Sequence, residues 1–181
     1  FLEPLGEVSE AEMLEAFTKQ VVALEGGGAD GIIIETMTAM EEARIAIQAA
    51  KENTGLAVIS TMVFDKGPRG FFTMMGVQPE RAVVELREAG ADVTGANCGN
   101  GIDNMVEIAR LMRSATDGYL LVHSNAGIPA IRKGQIVYDE TPDYMAERFK
   151  ELADLGINIL GGCCGTTPSH ISALSQVIRG E

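Results

Sequence analysis

Three segments of this chain carry one pattern: ALEGGGADGIIIET at 23–36, ELREAGADVTGANC at 85–98 and ELADLGINILGGCC at 151–164. Each reads as a helix end, a glycine, one apolar residue, Asp or Asn, and then a short apolar run. The glycines at 28, 90 and 156 fit the position just past a helix, where a positive φ is needed. The apolar runs fit buried parallel strands rather than amphipathic ones. Helical periodicity precedes each, over roughly 9–25, 79–89 and 142–155, with Pro79 and Pro142 suited to first turns. Two further strands are expected within 55–64 and 118–127, after helix-like stretches at 39–54 and 104–116, and a closing helix lies near 168–179. Helix and strand thus alternate five times, which predicts an α/β fold with right-handed crossovers and a parallel sheet.

The repeat also disposes of a misleading motif. GGGADG at 26–31 satisfies G-x-G-x-x-G, but it closes a helix and opens a strand. A dinucleotide-binding loop runs in the opposite order.

Composition narrows the function classes. The 181 residues are 46% hydrophobic, enough for one substantial core, yet no run of about 18 or more apolar residues predicts a membrane span. Lys and Arg number 14 against 26 Asp and Glu, so the net charge of −12 opposes nucleic-acid binding. The first residues, FLEPLGEVSEAEML, do not read as a secretory signal, and the missing initiator Met suggests a processed or cut chain. Three cysteines cannot complete a disulfide framework; an odd, low count points to a reducing compartment, the cytoplasm.

Parallel α/β folds place their sites at the carboxyl ends of strands. There the repeats put Glu35, Cys98 and the adjacent pair Cys163 and Cys164. Counted from the helix-ending glycine the offsets nearly agree, 28 to 35, 90 to 98 and 156 to 163, so the three cysteines are expected on one rim. Three thiolates around one point suggest zinc with a fourth position open. The glycines at 161, 162 and 165 let the backbone turn after the strand, so that both adjacent sulfurs face one ion. The alternatives are buried structural cysteines, a vicinal disulfide switch, or a closed zinc site with His123 as fourth ligand. His170, in the first turn of the last helix, is expected to be exposed. Glu35 has a second reading as a cap for the next helix, shared with Thr36 or Thr38. The stretch 64–76, FDKGPRGFFTMMG, reads as a long loop at the rim.

GANC, NAGIP and GGCCGTTP, in that order, resemble the homocysteine S-methyltransferase family, which includes a domain of cobalamin-dependent methionine synthase. The resemblance runs along essentially the whole chain, residues 1–181. It implies a (β/α)8 TIM-type barrel with a three-cysteine zinc site that activates homocysteine for methyl transfer, in methionine biosynthesis. Carried over, Cys98, Cys163 and Cys164 are the zinc ligands and Glu35 holds the substrate ammonium. Asn97 and Asn125 line the same rim as substrate-binding residues, with a turn role as the other reading of Asn125. A whole barrel takes about 250 residues and eight units. The chain therefore resembles a partial barrel, five parallel β/α units with the first three missing. A chain or segment completing the barrel is an expected partner. So is a methyl-donor domain or protein, with methylcobalamin among the donors. A non-catalytic zinc-binding or thiol redox-sensing domain is the competing reading.

Overall fold

The computed structural model describes residues 1–180. Helix α1 (Glu10–Gly26) leads into β1 (Gly31–Met37), and α2 (Met40–Asn53) into β2 (Ala57–Met62). A short hairpin follows, β3 (Asp65–Gly67) and β4 (Gly70–Phe72). Helix α3 (Pro79–Glu88) precedes β5 (Val93–Cys98), and α4 (Ile102–Ala115) precedes β6 (Tyr119–Ser124). A second hairpin, β7 (Ala130–Arg132) and β8 (Gln135–Val137), precedes α5 (Pro142–Asp154), β9 (Ile159–Gly162) and α6 (Pro168–Arg179).

The five long strands are parallel and ordered β1-β2-β5-β6-β9, so each pairs with the next in the chain. With a helix in every crossover, this is a stretch of TIM-type barrel wall. No helix among the described residues is long and apolar enough to cross a membrane.

Local chemistry explains the helix ends. Ser9 opens α1 with a reciprocal capping box: its hydroxyl accepts the Glu12 N–H at 3.3 Å, and the Glu12 carboxylate accepts the Ser9 N–H at 3.0 Å. Pro79 and Pro142 occupy first turns, as the sequence predicts. The three repeated helix exits share one geometry. Gly28, Gly90 and Gly156 have φ of 91°, 112° and 78°, and the next N–H returns to the helix at 3.1 Å each time (Ala29 to Leu24, Ala91 to Leu86, Ile157 to Leu152).

The Asp or Asn of the repeat then starts the strand. The Asp92 carboxylate accepts the Val58 N–H at 2.8 Å, and Asn158 Oδ1 accepts the Leu120 N–H at 3.0 Å. In both cases the residue's own N–H donates back to the same partner's carbonyl, at 2.8 and 3.0 Å. This two-way bond fixes where each parallel pair begins, and hence which residues share the rim at the far end. Asp30 holds the same position in the first repeat.

The core fills the space between sheet and helices, with Ile47, Val58, Leu86, Ile108, Leu120 and Phe149 fully buried. Each such side chain contributes roughly 1.5–3 kcal/mol by leaving water. Small residues on α2 (Ala43, Ala46, Ala50) let that helix approach the strands closely.

Two expectations are corrected. Strand β1 is not buried on both faces: Ile32 and Ile34 lie under the helices, whereas Ile33 is 44% exposed on the other face. The described residues pack helices against one side of this strand only. And the long loop expected at 64–76 contains regular structure, because Asp65 to Phe72 form the antiparallel β3–β4 hairpin. It reaches the rim, where Asn100 Nδ2 donates to Asp65 Oδ1 at 3.1 Å.

Candidate metal centre

Strand register gathers the cysteines. Cys98 pairs with Ser124 across β5–β6, and Ser124 pairs with Gly162 across β6–β9. The ladder runs one step further, the Cys163 N–H donating to the Ser124 carbonyl at 2.7 Å. The chain then turns. Thr166 donates to the Cys163 carbonyl from its N–H at 3.2 Å and from its hydroxyl at 2.8 Å, and Gly165 has φ 80°. The adjacent cysteines therefore leave the strand before its alternation would part their side chains.

All three cysteines are free thiols, and their sulfurs lie within 4.8 Å of one another. Sulfurs 2.3 Å from a tetrahedral zinc stand about 3.8 Å apart, so small adjustments would close this set on a metal. Partial burial and the two neighbouring sulfurs push the Cys164 thiol up to about 11. Three sulfur donors converging on one point are the donor set of a soft-metal site. Among the described residues no His, Asp or Glu joins the group. Three protein donors would leave a tetrahedral metal ion one open position.

His123 is not among those donors. It pairs with Asn97 and Gly161 in the sheet, and its ring lies so close that a Cβ on Gly161 would meet its Cδ2 at 2.7 Å. Burial lowers its pKa, and the Glu35 charge opposes that shift. His170 is buried, which corrects the expectation of exposure. Its Nδ1 accepts the Thr167 N–H at 3.0 Å, so its Nε2 donates to the Glu140 carbonyl at 3.0 Å.

The two asparagines are buried and fully engaged. Asn97 Oδ1 accepts the Thr36 N–H at 2.8 Å and the Thr61 hydroxyl at 2.7 Å; its Nδ2 donates to the Thr36 hydroxyl at 2.7 Å and to Cys163 Sγ at 3.8 Å. Asn125 Nδ2 donates to the Gly99 carbonyl at 2.7 Å, and its Oδ1 accepts the Cys164 N–H at 2.9 Å. Asn125 therefore ties the loop after Cys98 to the cysteine pair. Thr36 and Cys98 both take left-handed backbone angles, φ 63° and 66°, at the ends of their strands. That conformation costs a non-glycine residue roughly 1–2 kcal/mol, and at Thr36 the bonds to Asn97 help offset it.

Glu35 lies near the carboxyl end of β1, one residue before Thr36, exposed and without a hydrogen bond or ion pair among the described residues. Ala39 stands at the N-cap of helix α2 and no side chain caps the helix, so the capping role is not made. Thr61, Tyr138 and Glu140 also bear on this centre and carry no signal in the sequence pattern. Each lies outside the repeated pattern and meets the rim through contacts between distant segments. The Tyr138 ring covers the turn after the cysteines: a Cβ on Gly165 would lie 2.2 Å from its Cγ. Burial and the three sulfurs push the Tyr138 phenol above its ordinary value.

A family model described as homocysteine S-methyltransferase matches residues 2–178. Among solved structures, the chain is similar to the apo form of the homocysteine methyltransferase MmuM from Escherichia coli, with TM-score 0.69 and 22% identity, over 91% of this chain and 57% of that one. The metallated form of MmuM gives the same score and identity, over 89% and 51%. A putative phosphonomutase from Burkholderia cenocepacia follows at TM-score 0.62 and 15% identity, over 88% and 71%. At such identities these structures share the fold. The chain spans about half the length of the MmuM structures.

Proposed function

The chain belongs to the homocysteine S-methyltransferase family, and on that premise we propose that the protein transfers a methyl group to the sulfur of homocysteine, giving methionine. The observation that carries this reading is the convergence of three free sulfurs within 4.8 Å at the carboxyl ends of parallel strands. Cys98, Cys163 and Cys164 would hold zinc, and bound zinc would keep the substrate sulfur a thiolate at neutral pH, where a free thiol is mostly protonated.

The chain's own groups orient the substrate. Glu35 is the unpaired carboxylate of the β1 end and is assigned to the homocysteine ammonium, which fixes the direction of the sulfur. Asn97 and Asn125 spend their amides on Thr36, Thr61, Cys163, Gly99 and Cys164, so we assign them to holding the walls against which the substrate lies. In the transfer the homocysteine sulfur forms a bond to the methyl carbon as the donor's bond to that carbon breaks, its electron pair staying with the donor. We place donor binding on another segment or protein, with methylcobalamin, a methyl sulfonium and a betaine-type donor as the candidate classes. A further segment or chain would complete the barrel beside β1. Three free cysteines suit a reducing compartment such as the cytoplasm.

Zinc per chain by elemental analysis, followed by homocysteine titration of the zinc-loaded protein, tests the reading. About one zinc per chain and saturable homocysteine binding support it. Zinc without homocysteine binding favours a non-catalytic metal-binding domain, and a ready Cys163–Cys164 disulfide without zinc favours a redox sensor.

A further inference from the structure

Helix α4 begins without a cap of its own. Its first residue follows Gly101, which has φ 98° and no side chain to bond the helix N–H groups. The cap comes from 38 residues away: the Glu140 carboxylate accepts the Ile102 N–H at 3.0 and 3.3 Å. A local Ser, Thr or Asp is the ordinary solution. A remote carboxylate does something a local one does not, since it ties the Cys98–Gly101 loop to a second segment.

That segment is Tyr138–Glu140, and it touches both cysteine loops. The Glu140 side chain fills the space beside two glycines, where a Cβ on Gly101 would meet its Oε1 at 2.3 Å and one on Gly127 its Cγ at 3.2 Å. The Glu140 N–H donates to the Ala126 carbonyl at 3.1 Å, next to Asn125. Its carbonyl accepts His170 Nε2, and His170 in turn fixes Thr167, three residues past Cys164. Two residues earlier the Tyr138 ring lies on Gly165, the residue after Cys164.

We propose that Tyr138–Glu140 is a positioning strap for the metal centre, with Glu140 setting the spacing between the Cys98 loop and the Cys163–Thr167 turn and Tyr138 covering the Cys164 side. The inference rests on the three-cysteine metal reading above. The strap reaches the metal through its ligands. Partners of this kind around a metal site typically change affinity by about 10–100-fold when removed.

The test compares wild type with E140A, E140Q and Y138F. The rate of zinc release to excess chelator is read for all four, alongside thermal melting. The cobalt-substituted protein supplies a thiolate-to-cobalt charge-transfer band and ligand-field bands that report ligand geometry. E140A should release zinc about tenfold faster or more, and E140Q, whose amide oxygen still accepts the Ile102 N–H, should return most of the way to wild type. Y138F should shift the cobalt bands with little change in melting temperature. Zinc-bearing wild type with an unchanged release rate in E140A, or unmoved cobalt bands in Y138F, overturns the strap alone. A wild type that binds no zinc overturns the metal reading and the strap with it. If E140A does not fold, the cobalt spectrum of Y138F decides the matter.

Discussion

Asn97 and Thr36, 61 positions apart, exchange two hydrogen bonds: the Thr36 N–H donates to Asn97 Oδ1 at 2.8 Å, and Asn97 Nδ2 donates to the Thr36 hydroxyl at 2.7 Å. The pair joins the end of β1, where Glu35 sits, to the residue just before Cys98. Through Cys163 it also reaches the cysteine turn. One buried amide thus sets the relation between the proposed ammonium contact and the proposed metal ligands.

Asn97→Ala should therefore lower both stability and metal affinity. The substitution leaves the buried Thr61 hydroxyl and the strained Thr36 backbone without their acceptor. An unsatisfied buried donor costs about 1–3 kcal/mol, so urea unfolding should show a loss of roughly 2–4 kcal/mol. Zinc affinity should fall by about tenfold or more. A variant with unchanged unfolding midpoint would mean that water replaces the amide.

Cys98→Ser and Glu35→Gln should separate metal from substrate. C98S removes one of three sulfurs, and elemental analysis should find little or no zinc retained after dialysis. E35Q removes a charge from an exposed strand end that makes no internal bond. Zinc content should stay at the wild-type level while homocysteine affinity drops about tenfold, the order expected for losing one charge-assisted bond. Zinc retained in C98S would sink the three-cysteine site. Normal homocysteine binding by E35Q would remove Glu35 from the substrate contact.

Asp92 offers a test of register that also predicts a pH dependence. Its carboxyl is held below the ordinary range by the Val58 N–H and, more weakly, by Lys51, against the opposing effect of burial. For an acid with a lowered folded pKa, the folded state binds fewer protons than the unfolded one. The stabilisation is therefore complete above the unfolded carboxyl range, near pH 4, and is lost as the pH falls through the lower folded value. Asp92→Asn keeps the acceptor for Val58, as Asn158 does for Leu120, but lacks the charge, so it should lose at pH 7 the part of the stability that wild type loses in acid, and thereby flatten the acid limb of the stability curve. Asp92→Ala should cost about 1 kcal/mol more, the ordinary worth of such a bond. Chemical unfolding at several pH values reads both effects.

The sequence shows clearly what short-range chemistry dictates. The glycines at 28, 90 and 156 have positive φ because a helix end requires it, and the strands follow at the same offset each time. Strand order and the gathering of Cys98, Cys163 and Cys164 follow from that offset and from parallel register. The β3–β4 and β7–β8 hairpins were not legible, since three-residue strands carry too few positions to show alternation. The buried state of His170 was hidden for another reason. It depends on the Glu140 carbonyl, 30 residues away and on a different element. Asn97 and Asn125 were recognisable as rim residues, but their intramolecular partners lie 26 to 66 residues off. Contacts at such separations leave no mark in local periodicity.

Gly165 gives the last prediction, because it isolates the covering role of Tyr138 from backbone strain. Its φ of 80° disfavours any side chain, and an added Cβ would also strike the tyrosine ring. Gly165→Ala should therefore destabilise the protein through two separable terms, about 1–2 kcal/mol of backbone strain and a further cost for displacing Tyr138 from the Cys164 side. Tyr138→Ala removes the obstacle but leaves the strain. In the double variant Gly165→Ala should cost only the strain, so the two effects should be less than additive by at least about 1 kcal/mol, well beyond what distant sites show. Thermal or urea unfolding of the four proteins measures that coupling. Strict additivity would mean that the ring moves aside freely, and a ring that moves freely does not hold the cysteine turn in place.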